Sequence, residues 1–183
     1  MNLPNKITIA RVFMIPIFLV IYLARPFAVN EINAWLALGL FSVAAITDAI
    51  DGYLARKMGL VTNFGKLMDP LADKLLVCSA LVAFVASGTL PAWAVIVMIS
   101  REFYVSGLRQ LAVEQNIVLA ATNGAKFKTI AQIVLIIYIL LPFEMIVFDL
   151  AITAIMLVAV IASVVTAVDY TWKNLSIFSV NTK

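Results

Sequence analysis

Four aspartates lie within 26 residues of a sequence that is otherwise strongly apolar. Asp48 and Asp51 are three residues apart, and Asp69 and Asp73 are four residues apart, so each pair lies on one face of a helix. A charge inside a bilayer costs at least about 2.5–3.5 kcal/mol, and an unpaired carboxylate there would be protonated instead. Four converging carboxylates therefore indicate a cation site, of the kind in which two divalent ions neutralise a reacting phosphoryl group.

The alternative interpretation is structural, with some aspartates forming ion pairs with Arg56, Lys66 or Lys74. It applies best to Asp69 alone, which lies close to a predicted helix start. It does not account for all four acids, because one apolar stretch would still carry two aspartates with no basic residue beside them.

The residue types that are missing narrow the chemistry further. The chain contains no histidine and a single cysteine, Cys78. Ser-His-Asp and Cys-His catalysis, histidine-ligated metals, haem, intramolecular disulfides and cysteine clusters are therefore excluded. Any metal must be held by oxygen ligands, which suits Mg²⁺ or Mn²⁺.

The composition is that of an integral membrane protein. Of 183 residues, 64% are apolar and 13% charged, against about 45–50% and about 25% in soluble domains. Crossing a bilayer takes about 20 apolar residues, and six stretches qualify, without a cleavable signal peptide. They are 8–25, 33–57, 70–88, 91–111, 127–142 and 149–170. We predict an all-α bundle of six transmembrane helices forming one membrane domain over 1–183, preceded by a short interfacial segment at the N-terminus.

The basic residues predict the orientation of this bundle. Twelve of the 13 Lys and Arg residues lie on or near the side that receives both termini and the loops 57–69 and 109–127, and only Arg25 falls on the other side. By the positive-inside rule, both termini and any basic site face the cytoplasm.

The third helix is predicted to begin at Asp69, with Asp69 as its N-cap and Pro70 at its first position. A short turn would then join it to the second helix, so that the two are antiparallel neighbours. Such neighbours present all four carboxylates to one cavity.

A second group of charged residues is basic. Arg101 and Arg109 are eight residues apart on one face of the fourth span, and Lys126 and Lys128 stand at the start of the fifth. Together they would form a phosphate clamp. The alternative is that they reflect only topology and attraction to anionic lipids, with Arg101 paired to Glu102.

Residues 48–73 resemble the signature of the CDP-alcohol phosphotransferase family, D-x2-D-G-x2-A-R-x8-G-x3-D-x3-D. All eight fixed positions are filled, which by chance would occur with a probability on the order of 10⁻⁸. These positions are Asp48, Asp51, Gly52, Ala55, Arg56, Gly65, Asp69 and Asp73. Three flanking segments resemble the bacterial phosphatidylglycerophosphate synthase branch of this family: N-L-P-N-K-I-T-I-A-R near the start, S-R-E-F-Y-V-S-G-L-R at 100–109 and A-K-F-K-T at 125–129.

The resemblance implies transfer of a phosphatidyl group from CDP-diacylglycerol to sn-glycerol 3-phosphate, giving phosphatidylglycerophosphate and CMP. It implies that two divalent cations, Mg²⁺ or Mn²⁺, are held by Asp48, Asp51, Asp69 and Asp73, with Asp73 also the general base. It further implies a homodimer in the cytoplasmic membrane, with no nucleic-acid partner.

The predicted substrate-binding residues fall into two sets. The CDP-diacylglycerol set is Gly52, Ala55, Arg56, Thr62, Gly65, Asn5 and Thr8. The glycerol 3-phosphate set is Arg109, Lys126, Lys128 and Arg101. At the N-terminus, helix capping by Asn5 and snorkelling by Lys6 and Arg11 remain an equal alternative.

Two competing functions are kept open. One has the same chemistry with another acceptor, such as inositol phosphate or serine. The basic residues argue against serine, and the flanking segments favour glycerol phosphate. The other is a small ion transporter that uses intramembrane aspartates as a relay, although the acids are concentrated in one place and no internal repeat is visible.

Overall fold

The structure is a computed structural model that describes residues 3–26, 30–58, 63–114, 123–142 and 146–175. Side chains are described for 9–26, 31–47, 71–72, 74–113, 124, 126–142 and 148–175. The described residues are all-helical, with no strand. Their six α-helices are α1 Leu3–Leu19, α2 Asn30–Met58, α3 Asn63–Ala86, α4 Ala92–Glu114, α5 Asn123–Leu140 and α6 Ile146–Lys173.

The helices match the six predicted spans in number and order, but the predicted start of the third helix is wrong. α3 begins at Asn63, so Asp69 and Pro70 lie inside it. The residues before Asp69 include Lys66, Leu67 and Met68, which are good helix formers, so the helix begins before the position at which a cap was expected. Gly65 therefore belongs to the first turn of α3, and only residues 59–62 separate α2 from α3.

The N-terminal residues from Leu3 onward form the first turns of α1, and the predicted position of this segment at the membrane interface stays a prediction. α1 is continuous from Leu3 to Leu19 and contains Pro16. Pro4 lies in its first turn, where a proline is compatible with the helix. A short π-helix, Val20–Ala24, follows α1 directly and ends at Arg25, which has a left-handed backbone conformation.

The chain forms two compact units. The first comprises Met1–Leu90 with Ile136–Glu144, and in it α1 packs against both α2 and α3. Its core contains Phe18, whose ring lies 6.0 Å from that of Tyr22 and 6.1 Å from that of Phe41. The Tyr22 ring meets Phe84 of α3 edge-on at 5.2 Å, and its hydroxyl lies 3.0 Å from Ser87 Oγ.

The second unit comprises Pro91–Leu135 with Met145–Lys183. Here α4 packs against α6 through a buried cluster of Val105, Leu108 and Tyr170. α5 approaches α6 closely at Gly124, where a Cβ atom would lie 2.9 Å from Thr166 Cγ2.

By length and apolar composition, α6 is the one helix of the described residues that meets the requirement for crossing a membrane, over Phe148–Lys173. Shorter apolar stretches occur at Ile9–Ala24, Glu31–Thr47 and Lys74–Ala86.

We predict that Gly124→Ala destabilises the protein. Thr166 is buried and its hydroxyl donates to the Ala162 carbonyl at 2.6 Å, so its methyl group cannot move freely, and overpacking typically costs about 1–3 kcal/mol. The measurement is the thermal unfolding midpoint in detergent.

The matched control is Gly107→Ala, because nothing lies within 4 Å of a Cβ at that helical position. Thr166→Ser removes the clashing methyl but keeps the hydroxyl, so it should restore the stability of Gly124→Ala. Equal midpoints for the two alanine variants would show that the α5–α6 contact is not tight.

Candidate active site

The four signature aspartates lie on two helices of the first unit. Asp48 and Asp51 are one turn apart on α2, and Asp69 and Asp73 are one turn apart on α3. α2 and α3 contact each other, with four residues between them along the chain. This backbone arrangement and an all-oxygen donor set fit a pair of hard divalent cations.

The side chains of this region lie outside the described set, so their predicted roles remain predictions. Among the described side chains, no group of three or more acidic, histidine or cysteine residues is present. Gly52, Ala55 and Arg56 continue α2 after Asp51. Thr62 lies outside the described residues, and Asn5 and Thr8 lie in the first turns of α1.

The second unit contains a buried ionic cluster centred on Glu102 of α4. Glu102 Oε1 accepts a hydrogen bond from Lys128 Nζ of α5 and lies 3.5 Å from Arg101 Nη1. All three side chains are largely buried. The pairing of Arg101 with Glu102, left open by the sequence, is confirmed, and one carboxylate holds cations from two helices.

Arg101 keeps one edge of its guanidinium unpaired. The residue is 8% exposed, and its Nε and Nη2 atoms have no hydrogen-bond partner among the described residues. These two N–H groups are parallel donors, the geometry that binds a phosphate or carboxylate through two oxygens. Because Glu102 engages the opposite nitrogen, Nη1, the Nε–Nη2 edge remains suited to a ligand oxyanion.

Arg109 lies two turns further along α4 and contacts Tyr170 of α6. Its Nε lies 3.4 Å from the Tyr170 hydroxyl, and its Cζ lies 5.8 Å from the centre of that ring. Tyr170 is fully buried against Val105 and Leu108, so it provides a fixed surface for an otherwise exposed side chain. Arg109 and Tyr170 are both within electrostatic range of Arg101.

The four predicted basic residues thus have different environments. Arg101 and Lys128 share Glu102, and Arg109 rests on Tyr170. Lys126 is exposed and forms no ion pair with any described residue.

Sequence reasoning missed three features of this region. The Glu102–Lys128 pair joins residues 26 positions apart, and the Arg109–Tyr170 contact joins residues 61 apart, separations that helical spacing does not reveal. The third is Gln132, a buried amide in α5. Its signal was available, because it follows Lys128 by four residues in an apolar span.

Comparison with known families gives a match to CDP-alcohol phosphatidyltransferases over residues 1–168. This covers most of the chain, including the signature region and the basic residues of α4 and α5.

Individual relatives agree with the family match. The chain is 49% identical to the CDP-diacylglycerol–glycerol-3-phosphate 3-phosphatidyltransferase of Bacillus subtilis (strain 168), over 94% of this chain and 95% of that protein. It is 39% identical to a probable phosphatidylglycerophosphate synthase of Mycobacterium tuberculosis, over 92% and 79%. A Rickettsia typhi protein with the same name as the Bacillus enzyme is 39% identical over 72% and 71%.

We predict that Glu102→Gln lowers the thermal stability of the protein. The substitution removes the carboxylate that the buried Lys128 and Arg101 share, and removing one partner of a buried pair typically costs about 3–5 kcal/mol. The amide oxygen still accepts a hydrogen bond, so the loss should be smaller than for Glu102→Ala. Unfolding midpoints in detergent measure both.

Asp169→Asn is the control, because Asp169 and Lys173 form an exposed pair at 2.7 Å, and such pairs contribute at most about 1 kcal/mol. The double variant Glu102→Gln with Lys128→Met should lose less stability than the sum of the losses of the two single variants. An unfolding midpoint of Glu102→Gln equal to that of the wild type would contradict the role of Glu102 as a buried counter-ion.

Proposed function

The chain belongs to the CDP-alcohol phosphatidyltransferase family, and from this premise we propose that it transfers a phosphatidyl group from CDP-diacylglycerol to sn-glycerol 3-phosphate. The products are phosphatidylglycerophosphate and CMP, a step of phospholipid biosynthesis. The observation that favours a phosphorylated acceptor is the buried Nε–Nη2 edge of Arg101, which offers two parallel donors to an oxyanion and belongs to the cluster that contains Lys128.

The charge of this cluster suits the acceptor. Arg101, Lys128 and Arg109 contribute three positive charges and Glu102 one negative charge, a net charge of +2. A phosphate monoester carries about −1.5 to −2 at neutral pH. An acceptor without a phosphate brings less negative charge to this net +2 group, which argues against serine, whereas inositol phosphate remains the alternative.

The donor substrate is assigned to the signature residues of α2 and α3. Asp48, Asp51, Asp69 and Asp73 would hold two Mg²⁺ or Mn²⁺ ions, which neutralise charge on the diphosphate of CDP-diacylglycerol. Gly52, Ala55, Arg56, Thr62 and Gly65, with Asn5 and Thr8 of the N-terminal region, are assigned to the nucleotide and its phosphates. Small residues let a ligand approach the backbone, and Arg56 supplies a cation for a phosphate.

Asp73 is proposed to take the proton of the primary hydroxyl of glycerol 3-phosphate. That oxygen forms a bond to the phosphorus that carries the diacylglycerol, and the bond from this phosphorus to the CMP oxygen breaks. Phosphoryl transfer depends mainly on alignment and charge neutralisation. A positioned carboxylate is therefore sufficient as the proton acceptor.

The membrane setting is supported by the exposed side chains of α6. Leu150, Ile161, Val165, Val168 and Trp172 are all exposed, and contiguous apolar surface of this kind suits contact with lipid. We propose six membrane crossings, both termini and the active site on the cytoplasmic side, and a homodimer. The basic residues support the orientation.

The proposed reaction is tested by CMP release from CDP-diacylglycerol by the detergent-purified protein. Release should require both glycerol 3-phosphate and Mg²⁺ or Mn²⁺, and EDTA should abolish it. Metal-dependent release that responds to inositol phosphate or serine instead would reassign the acceptor. No release with any acceptor from folded protein would contradict the enzymatic assignment and favour a transporter.

We predict that Asp73→Asn abolishes turnover while leaving the helical fold intact. The amide cannot accept the hydroxyl proton, so kcat should fall by at least about 10²-fold, while CMP still binds. The measurements are kcat, circular dichroism and CMP binding. Near-normal turnover would remove Asp73 from the role of base.

We predict that Arg109→Ala raises KM for glycerol 3-phosphate by about tenfold or more, because it removes a charge-assisted contact to the phosphate. KM for CDP-diacylglycerol should change little. Lys173→Ala, at an exposed cation paired with Asp169, is the matched control. An effect of Arg109→Ala confined to the lipid substrate would show that the acceptor site lies elsewhere.

A further inference from the structure

Gln132 is a buried amide whose hydrogen bonding is incomplete. It is 2% exposed, and its Nε2 atom has no hydrogen-bond partner among the described residues. It lies on α5 one turn after Lys128, in a buried stripe that also includes Ala131 and Leu135. Its immediate neighbours on that stripe are therefore apolar on one side and cationic on the other.

An unpaired buried amide is unfavourable, typically by about 1–3 kcal/mol, and buried polar groups are normally paired. Two other buried polar side chains of the second unit illustrate this. Ser163 and Thr166 donate to carbonyls of their own helix at 2.7 Å and 2.6 Å. Gln132 is an exception that a ligand would explain.

The unpaired atoms of the second unit share one chemical property. Among its described side chains, the buried nitrogen and oxygen atoms without a partner are Arg101 Nε, Arg101 Nη2 and Gln132 Nε2. All three are donors, so the matching ligand supplies only acceptors at these points. Two parallel charged donors suit an oxyanion, and a single neutral donor suits a hydroxyl oxygen.

We propose that Gln132 determines acceptor specificity by donating a hydrogen bond from Nε2 to the secondary hydroxyl of sn-glycerol 3-phosphate. This inference rests on the proposed function. The phosphate is assigned to Arg101 and Lys128, and the primary hydroxyl is the nucleophile. The secondary hydroxyl is therefore the polar group of the acceptor that still needs a partner. Four residues of α-helix rise about 6 Å, so Gln132 and Lys128 are close enough to contact the secondary hydroxyl and the phosphate of one small phosphorylated alcohol.

The test compares two acceptors that differ by one hydroxyl. 3-Hydroxypropyl phosphate is glycerol 3-phosphate without its secondary hydroxyl, and it keeps the phosphate and the primary hydroxyl. Wild-type protein should use glycerol 3-phosphate with a kcat/KM about tenfold higher, the worth of one hydrogen bond in a buried site. Gln132→Leu should reduce this ratio to about one, because an apolar side chain gives the hydroxyl no partner.

Two further variants separate recognition from structure. Gln110→Leu makes the same change at an exposed position of α4 and should leave the ratio at its wild-type value. Gln132→Asn keeps the amide on a shorter side chain and should retain part of the preference. KM for CDP-diacylglycerol and the unfolding midpoint are measured for every variant. KM for CDP-diacylglycerol should stay near its wild-type value, and the midpoint of Gln132→Leu should not fall, because the substitution removes an unpaired buried amide.

The outcomes distinguish this inference from the function on which it rests. If wild-type protein releases CMP with glycerol 3-phosphate but Gln132→Leu keeps the wild-type ratio, the inference is overturned and the proposed function stands. A changed stability or a changed KM for CDP-diacylglycerol with an unchanged ratio also overturns it, since Gln132 would then be structural. If the wild-type protein does not use glycerol 3-phosphate at all, the proposed function itself fails.

Discussion

The structure depends on how a strongly apolar chain accommodates charge. Burying an ion without a partner costs several kcal/mol, and this chain has no histidine with which to lower that cost by giving up a proton near neutrality. Each buried charge must therefore be matched by an ion of opposite sign, either from the protein or from a ligand. In the cluster around Glu102, one carboxylate is shared by Arg101 and Lys128, and the net positive charge of these described side chains suits an oxyanion.

Two functional groups of opposite charge belong to different units. The signature acids belong to α2 and α3 of the first unit, whereas the Glu102 cluster and Arg109 belong to α4 and α5 of the second. Carboxylates suit the divalent cations that accompany a diphosphate, and guanidinium and ammonium groups suit a phosphate monoester. The two proposed substrates differ in the same way, because CDP-diacylglycerol carries a diphosphate and sn-glycerol 3-phosphate carries a phosphate monoester. Packing within the second unit holds its charged side chains in place, because Tyr170 of α6 contacts Arg109 and Lys128 of α5 pairs with Glu102.

The sequence was sufficient for the number and order of the helices, because six apolar stretches are separated by clear breaks, and for the family, because the signature is complete. It failed at the start of α3, where a plausible cap at Asp69 and Pro70 lies inside a helix that the residues before it already favour. It gave the basic residues of the second unit but not their arrangement. Contacts such as Glu102–Lys128 and Arg109–Tyr170 arise from tertiary packing across many residues. Gln132 was visible as an amide in an apolar span, but its importance depends on burial and on the absence of a partner for Nε2 in the described residues.

The proposed reaction depends on divalent cations that the four signature carboxylates would hold. A titration of the purified protein with Mn²⁺, followed by electron paramagnetic resonance, tests it most directly, because it reads the bound metal without requiring turnover. We expect two Mn²⁺ ions per chain in the presence of CDP-diacylglycerol. Asp48→Asn and Asp69→Asn should each reduce that number or weaken binding, and Lys128→Met should not. Wild-type protein that binds no Mn²⁺, or binding that persists unchanged in both aspartate variants, would show that the signature carboxylates do not hold the metal.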